Sequence, residues 1–167
     1  MTAVERAHAA AATVLDPEIR VLTIDELGIL RGVTVAEDGT VVVNITPTYV
    51  GCPAMDTIRA DVAESVRAAG FADVEVTVSW SPAWTTDWLD DTARAKLRDA
   101  GIAPPAGPRF AYVPPHLRLP IRPAAPRCPR CGSTGTTELS RFGSTACKAL
   151  WRCDTCREPF DYVREHP

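Results

Sequence analysis

Thr46-Pro47-Thr48-Tyr49-Val50-Gly51-Cys52-Pro53 is the stretch on which the fold turns, because an alternating apolar pattern ends there and a helical one begins. Upstream, Val41, Val43 and Ile45 share one face of a strand, with Val42, Asn44 and Thr46 on the other. Downstream, Met55, Ile58, Val62, Val66 and Ala69 recur every three or four residues and Gly70 follows, which predicts an amphipathic helix with a glycine stop. Pro53 suits the first helical position, since its missing N–H would be unpaired there anyway, and this makes Cys52 the cap. A thiol at the positive end of a helix dipole is expected to favour thiolate, and with it metal binding or nucleophilic reactivity. The plainer alternative is a small, inert, half-buried cap.

Working outward, residues 4–15 carry apolar side chains at helical spacing and end at Asp16-Pro17-Glu18, where a helix should stop. Thr23-Ile24-Asp25-Glu26 has the form of a capping box, which makes Asp25 and Glu26 helix-start residues rather than catalytic acids. Asp38-Gly39 is a hairpin signal between strands at 29–35 and 41–46. Val74, Val76, Val78 and Trp80 alternate with Glu75, Thr77 and Ser79 as a third strand with one buried and one wet face. Trp80, Trp84 and Trp88 lie four apart, but Pro82 forbids one helix through all three. Thr86 is expected to cap a helix over 87–100, with Trp84, Trp88, Leu89 and Leu97 packing in the core and Gly101 closing it. The order helix, strand, strand, helix, strand, helix predicts an α+β fold, a small sandwich of helices on a three-stranded sheet.

The 167 residues divide by charge. Residues 1–102 hold 8 basic and 16 acidic side chains, 103–127 hold 4 and none, and 128–167 hold 6 and 5. The acidic first part is a poor partner for a polyanion, so nucleic acid is not expected to bind there. Residues 103–127 contain 8 prolines in 25 positions and are expected to run as an extended linker between a domain at 1–102 and another at 128–167. No apolar run is long enough to span a membrane, and Glu5, Arg6 and His8 interrupt the start where a signal peptide needs an apolar core, so a cytoplasmic location is expected. In that compartment six cysteines read as metal or thiol chemistry rather than disulfides.

Cys128-Pro129-Arg130-Cys131-Gly132 and Cys153-Asp154-Thr155-Cys156 are two knuckles that together offer four soft thiolates, the ligand set of a tetrahedral structural zinc site. A fragment of about 40 residues has too little core to fold unaided, so the ion would supply stability. Four thiolates on a divalent ion also cancel the module's small positive charge, which argues against a nucleic-acid surface. Cys147 cannot ligate the same ion. On a strand running to Cys153 it lies about 20 Å away, at the distal tip of a hairpin beside Lys148. A docking of that tip near Cys52 would let Cys52, Cys147 and Asp16 frame a second, transient metal site.

Conventional catalytic motifs are missing. The chain has no glycine-rich phosphate loop, nucleophile elbow or His-Glu metalloprotease helix, and its one Glu-x-x-His, Glu5-Arg6-Ala7-His8, lacks the second that a di-iron centre needs on a facing helix. His8, His116 and His166 fall in terminal or irregular stretches.

Leu15-Asp16-Pro17-Glu18, Ile24-Asp25-Glu26-Leu27-Gly28-Ile29-Leu30, Thr46-Pro47-Thr48 and Gly51-Cys52-Pro53 together resemble the SufT-like domain of iron-sulfur assembly proteins. Phe142-Gly143-Ser144-Thr145-Ala146-Cys147-Lys148-Ala149-Leu150 with Glu158-Pro159-Phe160-Asp161-Tyr162 resembles a narrower family, PaaD (also PaaJ), of the phenylacetyl-CoA epoxidase system. Leu30 departs from the valine frequent in that family. The resemblance implies an accessory protein, not an enzyme, that helps mature or repair the iron-sulfur or di-iron centre of the multicomponent epoxidase in phenylacetate catabolism. Its implied partners are the oxygenase and reductase components and the iron-sulfur assembly machinery, and a homodimer is compatible with the sequence. It implies Cys52 and Asp16 as the transfer positions for iron or a transient cluster, and Cys128, Cys131, Cys153 and Cys156 as zinc ligands. Two other classes remain open: a scaffold subunit with an inert Cys52, and a rubredoxin-like electron carrier with iron in the four-cysteine site.

Overall fold

The computed structural model describes residues 1–105 and 125–165 and divides them into two compact units, Met1–Lys96 and Leu97–Glu165. Most of the expected linker, 106–124, lies outside the described residues, as do His116 and His166.

The first unit starts with α1 (Ala3–Ala12), whose Thr2 and Glu5 form a reciprocal capping box. Its alanines allow close packing: Ala7 and Ala11 are fully buried, and Ser65 Oγ donates to the Ala10 carbonyl at 2.8 Å. β1 (Leu30–Val35) and β2 (Val41–Ile45) form the expected hairpin, with Gly39 at φ +89° and the Thr40 N–H held by Asp38 Oδ1. α2 (Ala54–Ala68) then crosses over to β3 (Val74–Val78), which pairs parallel to β2 and completes the sheet in the order β1-β2-β3. Val41, Val43, Ile45, Ile58, Val62 and Val66 are all 1% exposed or less, which places the core between the sheet and its helices.

Two expectations need correction. The Thr23–Glu26 box exists, with Thr23 N donating to Glu26 Oε2 (3.0 Å) and Glu26 N to Thr23 Oγ1 (3.2 Å), yet it opens a turn and no helix. Gly28 at φ +70° reverses the chain, and Ile29 N bonds back to the Ile24 carbonyl before a second turn can form. Residues 87–100 are not one helix either. A 3-10 turn at Thr86–Trp88 ends at Leu89, which is extended (φ −71°, ψ 116°), and α3 (Asp91–Asp99) begins afresh with Asp90 Oδ1 accepting from Ala93 N at 2.7 Å. Trp84 packs as expected, 5% exposed with its Nε1 donating to the Leu27 carbonyl.

The second unit is a four-stranded sheet in the order β4-β7-β6-β5: β4 (Ile102–Ala103), β5 (Thr136–Ser140), β6 (Lys148–Cys153) and β7 (Pro159–Val163). The β5–β6 hairpin follows the sequence pattern. β7, antiparallel to β6, and β4, parallel to β7, are additions that the sequence pattern does not announce. Ala103, Cys128, Ala149, Cys153, Phe160 and Tyr162 form its small buried core, with Trp151 packed edge-on to Tyr162. No helix among the described residues is long and apolar enough to cross a membrane.

Candidate metal centre and thiol site

In the second unit, the two knuckles are held by their own backbones. Gly132 N bonds to the Cys128 carbonyl and Arg157 N to that of Cys153, and these two residues turn the chain through the left-handed region at φ +73° and +66°. Gly132 does so without strain, whereas Arg157 stands where a glycine would be easier. The turns bring Cys128, Cys131, Cys153 and Cys156 together with all four Sγ atoms within 4.8 Å of one another. The pairs Cys128–Cys156 and Cys131–Cys153 are 3.7 and 3.5 Å apart. A zinc ion with Zn–S bonds of ~2.3 Å needs tetrahedral edges of about 3.8 Å, so the sulfurs fit that ion. The N–H groups of Cys156 and Thr155 pull the Cys153 thiol down to about 6. Cys156 is pushed up to about 12, because burial and its thiol neighbours outweigh the Glu158 N–H. The site is closed on four soft donors and offers no open coordination position.

Cys147 lies just ahead of β6, at the end of the turn at 141–147, and is 6% exposed with its Sγ 3.1 Å from Thr145 Oγ1. Lys148 is also buried. Its Nζ pairs with Asp161 Oδ2 at 3.2 Å, across to β7, and Gly143 N donates to its carbonyl at 2.7 Å. The turn that carries Cys147 is therefore fastened by a buried ion pair.

In the first unit, Cys52 sits between the left-handed Gly51 (φ +83°) and Pro53, which is already helical (φ −70°, ψ −18°) ahead of Ala54. The expected lowering of its thiol pKa does not occur. Burial pushes the thiol up, and the carboxylates of Glu18 and Asp16 add to the rise against the opposing Ala54 N–H and Tyr49 side chain. Half-burial and two negative charges outweigh the helix end. Asp16 is 6% exposed, and its Oδ1 accepts from Glu18 N (2.9 Å) and Ile19 N (2.6 Å), closing the turn that carries Glu18. Residues 16–22 loop out between the bridged Leu15 and Thr23, and Thr46 N bonds to the Ile29 carbonyl, so the hairpin order carries the two loops to one end of the sheet. Asp16 and Glu18 thus act on the Cys52 thiol through their charge and Tyr49 through its side chain; the sequence pattern marks Glu18 and Tyr49 only as motif neighbours. A thiol with two carboxylates in a common field attracts a cation and repels an anion.

A family model described as "PaaD zinc beta ribbon domain" matches residues 115–164, and one described as "Iron-sulfur cluster assembly protein" matches residues 5–78. Over 150 residues the chain is 48% identical to an Escherichia coli protein described as a subunit of 1,2-phenylacetyl-CoA epoxidase, covering 89% of this chain and 85% of that one. The chain belongs to the PaaD family. Its SufT-like part is matched by the Staphylococcus aureus protein described as Fe-S protein maturation auxiliary factor SufT, 34% identical over 88 residues, 50% of this chain and 96% of that one. A crystal structure of a DUF59 domain from Bacillus anthracis matches with a TM-score of 0.52 at 29% identity, covering 57% of this chain and 91% of that one. In this PaaD-family chain the iron-sulfur assembly match contains Asp16, Glu18, Tyr49 and Cys52, and the ribbon match contains the four clustered cysteines.

Proposed function

We propose that this chain is a non-catalytic accessory protein of a phenylacetyl-CoA epoxidase system, acting in the cytoplasm to mature or repair the iron-sulfur or di-iron centre of that enzyme. Cys52 and Asp16, with Glu18 beside them, take iron or a cluster as cargo, and the zinc ribbon is a fixed structural module. Its partners are the oxygenase or reductase component and the iron-sulfur assembly machinery. The observation that supports this reading is the half-buried Cys52 thiol lying within the field of the Glu18 and Asp16 carboxylates. One soft and two hard donors, without a closed cage, suit a metal held in passage. Cys147, 6% exposed against the Thr145 hydroxyl, is left to the packing of its turn.

The test is zinc, iron and acid-labile sulfide content of anaerobically purified wild type, Cys52→Ala and Cys147→Ala, with epoxidase turnover in cells carrying each variant. One zinc in all three, with iron and turnover lost in Cys52→Ala alone, supports the reading. Loss in Cys147→Ala as well would restore that thiol to the site. Unchanged turnover in Cys52→Ala would favour a structural scaffold, and iron in the ribbon itself an electron carrier.

A further inference from the structure

β3 is an edge strand that lacks the usual protection. Val41 N bonds to the Asp73 carbonyl and Ser79 N to that of Ile45, so in this parallel ladder Asp73, Glu75, Thr77 and Ser79 face β2. The N–H and C=O groups of Val74, Val76 and Val78 therefore point away from β2, where no other described strand pairs with them. β3 carries no lysine, proline or bulge, the devices that normally blunt an edge. The side chains of these valines are in register with the fully buried Val41, Val43 and Ile45, yet are themselves half-exposed because the sheet ends there. Alongside runs a shallow apolar groove between β3 and α2, lined by Arg59, Ala60, Ala63, Glu64, Val74 and Val76. Arg59 holds this edge only weakly, its Nη2 reaching the Val76 carbonyl at 3.4 Å.

We propose that this edge and groove are the interface of a two-fold homodimer. Antiparallel pairing of β3 with β3 of a second copy about an axis through Val76 makes Val76 with Val76, and Val74 with Val78, hydrogen-bonded pairs. Three outward residues on each copy then donate and accept once each, giving six backbone bonds. The α2 helices approach antiparallel, and the small Ala60 and Ala63 leave room for them. Charge sets the register. With Ala60 opposite Ala63 of the second copy, Arg59 falls opposite Glu64 and Arg67 opposite Asp56, each pair occurring twice by symmetry. All four of these side chains are exposed. Arg59 exchanges its long bond to the Val76 carbonyl for the Glu64 carboxylate, which frees that carbonyl for the partner strand. A surface complementary to itself in hydrogen bonding, shape and charge fits a second copy of this chain better than a partner of one charge sign.

The test uses the full zinc-loaded chain, by sedimentation and light scattering from low micromolar to the highest soluble concentration, with backbone amide exchange in parallel. Wild type should approach twice the 18.0 kDa chain mass. Glu64→Arg should weaken dimerisation by about tenfold or more, and the exchange of charges in Arg59→Glu with Glu64→Arg should recover most of the loss. Both changes lie on an exposed helix face, so zinc content and circular dichroism should match wild type. The Val74, Val76 and Val78 amides should exchange slowly in the dimer and fast in Glu64→Arg. The proposal is overturned by a wild type that stays monomeric throughout, by a dimer whose three valine amides exchange fast, by one indifferent to Glu64→Arg, or by a charge exchange that restores nothing.

Discussion

Removing the Asp161 carboxylate should destabilise the ribbon far more than removing Lys148, its partner. Lys148 Nζ and Asp161 Oδ2 are 3.2 Å apart, with the side chains 9% and 30% exposed. At an effective dielectric of ~20 their attraction is about 5 kcal/mol, most of which repays the water that both groups lost on burial. In Asp161→Asn the ammonium stays buried but loses the Asp161 charge. The expected cost is about 3 kcal/mol, the low end for a broken buried pair, because the water at Asp161 softens the site. In Lys148→Met the aliphatic stem is kept and Asp161 turns to solvent, so the cost should be about 1 kcal/mol or less. The order matters because the Lys148 carbonyl receives Gly143 N and so fastens the turn before Cys147. Native-state hydrogen exchange at the β6 and β7 amides of zinc-loaded protein reads this unit by itself. Equal losses for the two variants, or a larger loss for Lys148→Met, would refute the assignment of Lys148 as the costly buried charge.

Stripping the metal by chelation or by Cys156→Ser should release one zinc and collapse protection across β5, β6 and β7 while β1–β3 stay protected, since the ribbon's own core is small; persistence of ribbon protection without zinc would contradict this. Arg157→Gly should stabilise the zinc-loaded ribbon by about 0.5–1 kcal/mol, as it relieves the left-handed backbone at φ +66°, and a loss of stability in denaturant titration would argue against strain there. Glu26 is held below its ordinary value, first by its ion pair with Lys96 and then by the Thr23 N–H. A folded pKa lowered in this way gives stability that is present above the unfolded value, near 4.5, and lost as the pH falls through the folded one. Glu26→Gln should therefore be less stable than wild type by about 1 kcal/mol at neutral pH and equal to it in acid; a gap that does not close on acidification would refute the linkage.

The two kinds of periodicity made the β1–β2 hairpin, α2 and β3 legible, because each keeps its apolar side chains on one face and so must repeat its pattern. Local chemistry was legible as chemistry and misleading as structure. Thr23 and Glu26 do bond reciprocally, but the left-handed Gly28 just beyond them cannot continue a helix. Leu89 broke the expected helix over 87–100 because Asp90 offered a better start. β4 and β7 escaped because Ile102–Ala103 is too short for a pattern and Pro159 opens its strand with a breaker. The spacing of the four cysteines sufficed for the ribbon. By contrast, Glu18 belongs to the Cys52 site through the hairpin order, which no local window contains, whereas Tyr49 stands three residues from Cys52 in the same loop and only its side-chain bond to the thiol goes unannounced. The direction of the thiol's shift was lost for the same reason: a dipole can be read from one helix, but two carboxylates from another loop cannot.

On the proposed function, the two cysteine sites serve opposite tasks. In the ribbon, four sulfurs lie within 4.8 Å of one another inside turns fixed by their own hydrogen bonds, so an ion held there would exchange only when the knuckles open. At Cys52 a single sulfur stands half-exposed, its ionisation resisted first by burial and then by the charges of Glu18 and Asp16. On the proposed function, a cation arriving there would turn those carboxylates from opponents of the thiolate into its co-ligands, and its departure would restore the proton. Affinity would then depend on a proton that competes for the same sulfur, which would favour release to a client centre with more or softer donors. On this reasoning Glu18→Gln, which leaves Cys52 in place but relaxes the field, should make the thiol alkylate faster while weakening iron retention. Anaerobic alkylation rates and iron content measured on the same samples check both halves. If the two moved in the same direction, Glu18 would not be tuning the site through charge.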